Sequence, residues 1–233
     1  MRSMYTYIEQ APAIARDIIA HREALVGPLV EQFCGMAPKR LLIVASGSSY
    51  DIAMSMRPFM QQTLGIEVSV EWPMSYILYN HAQNDETFVL CMSQSGRSTN
   101  TIEAVRRAQA CGHHVAVLTC NPDAPMREYC EHVYAYGSGT EDYYVAKGFP
   151  TSCIYLALFA IEAARTMNVR GAEDCAALLS DVSTVVDDME DVYPAARSFA
   201  EKHLDAFVDA RRIMCVGIGA GYGVALEGAL KLN

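Results

Sequence analysis

Thr87-Phe88-Val89-Leu90-Cys91-Met92-Ser93-Gln94-Ser95-Gly96-Arg97-Ser98-Thr99-Asn100-Thr101-Ile102-Glu103-Ala104-Val105-Arg106-Arg107-Ala108 is the stretch on which the fold turns. Its first six residues form an apolar run that reads as a buried strand. Ile102 to Ala108 reads as a helix. The turn between them holds five hydroxyls, one glycine and a helix N-terminus. A helix start presents unpaired N–H groups and a partial positive charge, and hydroxyls add neutral donors around them. That chemistry suits a phosphate. It also suits a helix cap, since Ser, Thr and Asn lead the capping preferences.

Working outward, the same strand–turn–helix pattern recurs. Arg40 to Ala45 reads as a buried strand, followed by the turn Ser46-Gly47-Ser48-Ser49 and a helix from Tyr50 to Leu64. Short strands are expected at Ile66–Trp72, His114–Thr119 and Val133–Tyr136, and a short helix at Met126–Glu131. A long apolar helix is expected over Lys147–Met167. The N-terminal region reads as amphipathic helix with a break near Gly27-Pro28. Strands alternating with helices at this spacing imply an α/β fold, with a mostly parallel sheet and helices on both faces. In such sheets ligands sit beyond the C-terminal strand ends, near a switch in strand order. Both hydroxyl-rich turns occupy that kind of position, and two converging turns favour phosphate binding over capping alone.

Composition narrows the partners. The chain has 233 residues, 52% hydrophobic and 19% charged, which suits a packed globular protein. A net charge of −9 disfavours nucleic acid and anionic membranes, so an anionic ligand must be held by local geometry. The longest apolar stretch, Cys153 to Ile161, is too short to span a bilayer. Eight cysteines without a C-x-x-C pair read as free thiols in a reducing cytoplasm, with no disulfide framework, metal site or cofactor expected. Met1 to Gln10 lacks the apolar segment of a signal peptide. Gly171 to Asp191 reads as a helix with an acidic, solvated face, and Pro194 punctuates the chain beyond it.

An internal repeat is visible. Arg40-Leu41-Leu42-Ile43-Val44-Ala45-Ser46-Gly47-Ser48-Ser49-Tyr50-Asp51-Ile52-Ala53 aligns without gaps to Arg212 through Ala225, and Arg, Val, Gly, Tyr and Ala coincide at a constant offset of 172 residues. A complete second copy would need about 340 residues, so the chain is expected to stop inside the second copy's first helix. Gly217-Ile218-Gly219-Ala220-Gly221-Tyr222 fails the dinucleotide-binding fingerprint, because Tyr222 stands where Gly or Ala is required.

The motifs Ser46-Gly47-Ser48-Ser49-Tyr50, Ser93-Gln94-Ser95-Gly96 with Ser98 and Thr101, Gly139-Thr140-Glu141, and Ala225-Leu226-Glu227-Gly228-Ala229-Leu230-Lys231-Leu232 together resemble the sugar isomerase (SIS) family. The resemblance is greatest to the isomerase half of glutamine–fructose-6-phosphate aminotransferases and to fructosamine-6-phosphate deglycases. It implies a flavodoxin-like three-layer α/β/α sandwich around a five-stranded parallel sheet, repeated in tandem, in a homodimer. On this reading residues 1–36 are an N-terminal helical region and 37–170 the first SIS domain. Residues 171–233 are then a helical linker and the start of the second.

By position, the resemblance implies that Ser93, Gln94, Ser95 and Ser98 grip a sugar phosphate, with Ser49 completing the cradle. Gly47 and Gly96 would allow close backbone approach. Lys231 matches a lysine beside the sugar's reacting end, where a positive charge stabilises an enolate-like intermediate; a solvated helix end is the alternative. Glu227 lies one turn earlier, placed for catalysis or for an i,i+4 ion pair. The family's general-base glutamate would follow Asn233, and its catalytic histidine lies further on. The eight residues before Glu9 are too few to form a glutaminase, so glutamine-derived ammonia is not the nitrogen source expected from this sequence.

Arg97 replaces the family's usual acidic residue, and His113-His114 suggests a helix cap. Tyr143 and Tyr144 stand where small residues are usual, either walling the pocket or at the surface. The expected function is binding a phosphorylated sugar and, in the complete enzyme, isomerising it or cleaving a fructosamine 6-phosphate to glucose 6-phosphate and an amine. The alternative is a non-catalytic sugar-phosphate-binding module.

Overall fold

The structure is a computed structural model that describes residues 4–80, 86–142 and 144–233. Helices α1 (Met4–Ala20) and α2 (Arg22–Met36) lead into β1 (Arg40–Ala45), α3 (Ser48–Leu64) and β2 (Glu67–Glu71). A one-turn α4 (Pro73–Ser75) and a π-turn over Tyr76–Asn80 follow. Then come β3 (Thr87–Met92), α5 (Thr99–Ala110), β4 (His114–Thr119), a 3-10 turn over Pro125–Glu128 and β5 (Val133–Ala135). The chain finishes with α6 (Gly148–Thr166), α7 (Ala172–Lys202), α8 (Leu204–Val208) and α9 (Ala220–Leu232).

The five strands form one parallel sheet in the order β2-β1-β3-β4-β5. Both faces are covered, so strand residues alternate between two cores. Leu41, Ile43, Phe88 and Leu90 face α2, α3 and α6, while Leu42, Val44, Val89 and Cys91 face α5 and the Tyr76 turn. Phe33 of α2 sits edge-on to both Phe88 (5.2 Å) and Phe159 (5.1 Å), tying sheet to α6 through aromatic packing.

Strand order reverses between β1 and β3. The chain leaves β1 toward β2 on one side and returns to β3 on the other. Ala45 and Met92 are paired at the ends of these neighbouring strands, so the Ser46 and Ser93 turns open side by side. This is the crevice where open α/β sheets bind ligands.

Several expectations are corrected. The N-terminal break falls at His21 (φ −105°, ψ 19°), and Gly27-Pro28 lies inside α2, where a proline deprives only the Ala24 carbonyl of its helical donor. Pro194 likewise lies inside α7. Residues 212–217, the repeat counterpart of β1, form no strand. Without a neighbouring strand among the described residues their ladder groups cannot pair, and Met214, Val216 and Ile218 are 87%, 81% and 91% exposed. The repeat resumes at Gly219 (φ 55°, ψ −126°), whose backbone matches Gly47 (φ 57°, ψ −141°), and α9 follows as α3 follows Gly47.

Candidate functional site

Each turn owes its shape to a few residues. Ser98 caps α5, its hydroxyl accepting from the Thr101 amide (3.4 Å) and the Thr101 hydroxyl (2.9 Å). Gly96 adopts φ +65°, and a Cβ there would stand 2.5 Å from Ala124 Cβ and 3.0 Å from Thr119 Oγ1. Only glycine combines that conformation with that approach. Its carbonyl accepts from the Met126 amide (3.2 Å), anchoring the turn to the loop after β4.

The candidate phosphate residues are not equivalent in place. Ser95 is exposed and Ser98 half-buried, and both flank the free N–H groups at the start of α5. Ser93 is buried. The Gln94 side chain turns into the domain, its amide donating to Ser152 Oγ (2.8 Å) while its oxygen accepts from the Cys120 thiol. Gln94 therefore braces the turn from behind. Ser49 is buried at the first turn of α3, beside Gly47. Arg97 and Tyr144 are exposed; Tyr143 and His81 lie outside the described residues. The α5 terminus is closed by backbone, with Gly112 at φ +77° and the His113 amide bonded to the Ala108 carbonyl (3.0 Å).

The first turn carries a charged cluster. Lys231 of α9 reaches back to it, its ammonium donating to Ser48 Oγ (3.2 Å) and pairing with Glu227 Oε1 (2.8 Å). The Ser48 hydroxyl donates to the same Glu227 oxygen (3.0 Å). Lys231 thus points inward, and its i,i+4 pair with Glu227 forms as well. Asp51, which the sequence did not single out, completes the group. It is 4% exposed and Glu227 8%. Burial first, and then the charge and hydrogen bonding of Glu227, push the Asp51 carboxyl up to about 7, against the pull of Lys231. The repeat held a signal for this cluster: at the same offset of 172, Glu227 aligns with Ser55 and Gly223 with Asp51.

Glu141 caps α6. Its Oε1 accepts from the Ala146 and Lys147 amides and its Oε2 from the Gly148 amide, each at 2.9 Å. A carboxylate thus occupies the anion position of that helix. The nearby Cys120 thiol is held protonated by burial, pushed up to about 11. A groove of about 810 Å³ runs between α1, α7 and the start of α6 and includes Glu227 and Lys231 in its wall. Its lining is otherwise mostly apolar and lacks the Ser93 turn, so it offers no phosphate cradle. Among the described residues no cluster of His, Cys, Asp or Glu could hold a metal ion, and no helix is long and apolar enough to cross a membrane.

Comparison with known proteins agrees with the fold. The SIS domain family model matches residues 37–167. The chain is 29% identical over 196 residues to a glutamine–fructose-6-phosphate aminotransferase of Xylella fastidiosa, covering 82% of this chain and 32% of that protein. It spans about a third of the length of such relatives. Among solved structures, a protein of Clostridium difficile 630 proposed to be a phosphosugar isomerase superposes at TM-score 0.91 with 24% identity, over 100% of this chain and 66% of that one. The C-terminal domain of glucosamine–fructose-6-phosphate aminotransferase from Francisella tularensis superposes at 0.85 with 20% identity, over 98% and 65%.

Proposed function

The chain belongs to the SIS domain family, and on that premise we propose that it binds a phosphorylated sugar between the Ser46 and Ser93 turns and serves its isomerisation or deglycation. The observation that carries this reading is the pairing of β1 with β3 at the point where strand order reverses. It brings two hydroxyl-rich turns and the start of α5 to one crevice, with Lys231 tethered to the first turn through Ser48.

The roles divide accordingly. Ser95, Ser98 and the first amides of α5 hold the phosphate, while Ser93, Gln94 and Gly96 keep the turn in shape and Ser49 closes the crevice from α3. Phosphate binding then supplies remote binding energy that positions the sugar's reacting carbons. Lys231 brings positive charge to where an enolate-like intermediate would develop, with Glu227 setting its direction. The substrates in view are a ketose phosphate, isomerised between C1 and C2, or a fructosamine 6-phosphate cleaved to glucose 6-phosphate and an amine. A homodimer in the cytoplasm fits the eight free thiols and the exposed apolar residues before α9.

Titration calorimetry of fructose 6-phosphate into the full-length protein tests this reading. Ser95→Ala removes one hydrogen bond to a charged group, about 1.5–3 kcal/mol, so affinity should fall roughly 10- to 150-fold. Unchanged affinity in Ser95→Ala would overturn the phosphate assignment. Saturable binding without turnover of either substrate would favour the sugar-phosphate-binding module.

A further inference from the structure

We infer that Asp51 and Glu227 hold one proton between them, so that the buried crossing of α3 and α9 carries a single negative charge against Lys231 and Asp51 acts as a positioning residue for that lysine. The geometry begins with the crossing itself. A Cβ on Gly223 would lie 2.3 Å from the Asp51 carbonyl oxygen, 2.3 Å from Ser55 Oγ and 2.5 Å from the Ser55 amide. The two helices therefore touch backbone to backbone at Gly223. Glu227, one turn further along α9, is carried against Asp51 on α3, and both carboxyls are almost fully buried.

Two ionised carboxylates are acceptors only and cannot bond to each other. Glu227 Oε1 already takes the Ser48 hydroxyl and the Lys231 ammonium. Glu227 Oε2 is buried with no donor among the described residues. A protonated Asp51 supplies that donor, and hydrogen bonding between the two carboxyls is one of the influences that raise Asp51. The charge count agrees. With one shared proton the pair carries −1 and is balanced by Lys231; with none it would carry −2 in a buried site.

The groups facing the pair from other elements do not change this sum. Cys153 of α6 is held neutral by burial and by Glu227, and Tyr193 of α7 is likewise raised by burial, with Cys153 adding to it. Tyr50 beside Asp51 is raised by burial first and then by Tyr222. Lys231 is the cation that acts on Asp51.

The consequence for function rests on the sugar-phosphate reading. Loss of the shared proton adds a negative charge beside Lys231, which draws the ammonium into the cluster and opposes an anionic ligand in the crevice. Asn at position 51 keeps a donor toward Glu227 but has no proton to lose.

The test has two readouts on the full-length protein. Infrared spectroscopy across pH 5–9 should show one protonated carboxyl titrating near neutrality, absent in Asp51→Asn and shifted to lower pH in Glu227→Gln. If Asp51→Asn leaves that signal in place, or Glu227→Gln leaves its midpoint unmoved, the shared proton is refuted. In parallel, fructose 6-phosphate affinity is measured for wild type and Asp51→Asn, and their ratio cancels titration of the ligand itself. The ratio should fall roughly three- to tenfold as pH rises through the carboxyl transition, the scale of one added charge several ångströms away. A flat ratio beside a positive infrared result would overturn the positioning role. Absence of binding in both proteins would sink the sugar-phosphate reading, while the infrared signal still decides the proton.

Discussion

Gly223→Ala is the substitution that most directly probes the α3–α9 crossing. Isolated in a helix, Gly→Ala stabilises by about 0.8–1 kcal/mol, because alanine loses less backbone freedom on folding. At Gly223 the added methyl would sit 2.3 Å from the Asp51 carbonyl oxygen and 2.5 Å from the Ser55 amide. Two of the three nearest atoms are main chain and cannot rotate away, so the helices must separate by about an ångström to restore ordinary contact. Overpacking of this kind costs about 1–3 kcal/mol, and the lost network of Ser48, Glu227 and Lys231 adds about one further hydrogen bond to a charged group, about 1.5–3 kcal/mol. The net destabilisation is then about 2–5 kcal/mol. Gly221, two residues earlier in the same helix, has nothing within 4 Å of a built Cβ and serves as the control. Urea denaturation of the full-length protein should place Gly221→Ala at or above wild type and Gly223→Ala well below it, with an unchanged m-value. Equal stability of the two variants would refute the close crossing, and the buried carboxyl pair with it.

Two other outcomes follow from the same structure. Glu141→Ala leaves three amides at the start of α6 without their acceptor; because the site is half-exposed, water recovers part of the loss, and about 2–3 kcal/mol is expected, read as a Tm drop of several degrees. The raised Asp51 carboxyl also makes stability depend on pH. Unfolded, Asp51 ionises near its ordinary 3.8, whereas in the fold it retains its proton up to about 7. Its contribution is therefore fully present below about pH 4, is lost as pH rises to about 7, and is flat above, amounting to about 4 kcal/mol at about 1.4 kcal/mol per pH unit. Wild-type stability relative to Asp51→Asn, followed by denaturant unfolding between pH 4 and 8, should fall by that order; a constant difference would contradict the assignment.

Much of the fold is written locally. The runs Arg40–Ala45, Thr87–Met92 and His114–Thr119 announce buried strands because a parallel sheet covered on both faces needs apolar residues without alternation. The helical spacing after each turn announces the return path. What stayed hidden was decided by packing at a distance. Nothing around Gln94 says that Ser152 and Cys120 will claim its amide from 58 and 26 residues away. Glu141 reads as part of a loop motif, and only the fold shows that it closes the start of α6. The repeat sets Arg212–Val216 opposite the strand sequence Arg40–Val44, but a strand exists only in a ladder, and no neighbouring strand stands beside those residues among the described residues.

The repeat explains why chemistry gathers on one side of the α3–α9 crossing. At the offset of 172, Asp51 corresponds to Gly223 and Ser55 to Glu227. A pseudo-twofold pairing of two such helices brings Asp51 toward Glu227 on one side and Gly223 toward Ser55 on the other, and both contacts are present. The equivalent positions have diverged into different tasks. On the Gly223 side there is no side chain, which lets the helices approach until backbone meets backbone. On the other side two carboxyls are pressed together by that approach, and Lys231, whose counterpart is the apolar Phe59, is drawn to the Ser48 turn by their charge. The symmetric helix pair thereby produces an asymmetric field, with Lys231 beside the first of the two turns proposed to hold the phosphate. Moving the carboxyl from Asp51 to position 223 would conserve composition and net charge, yet it would remove both the close approach and the donor for Glu227.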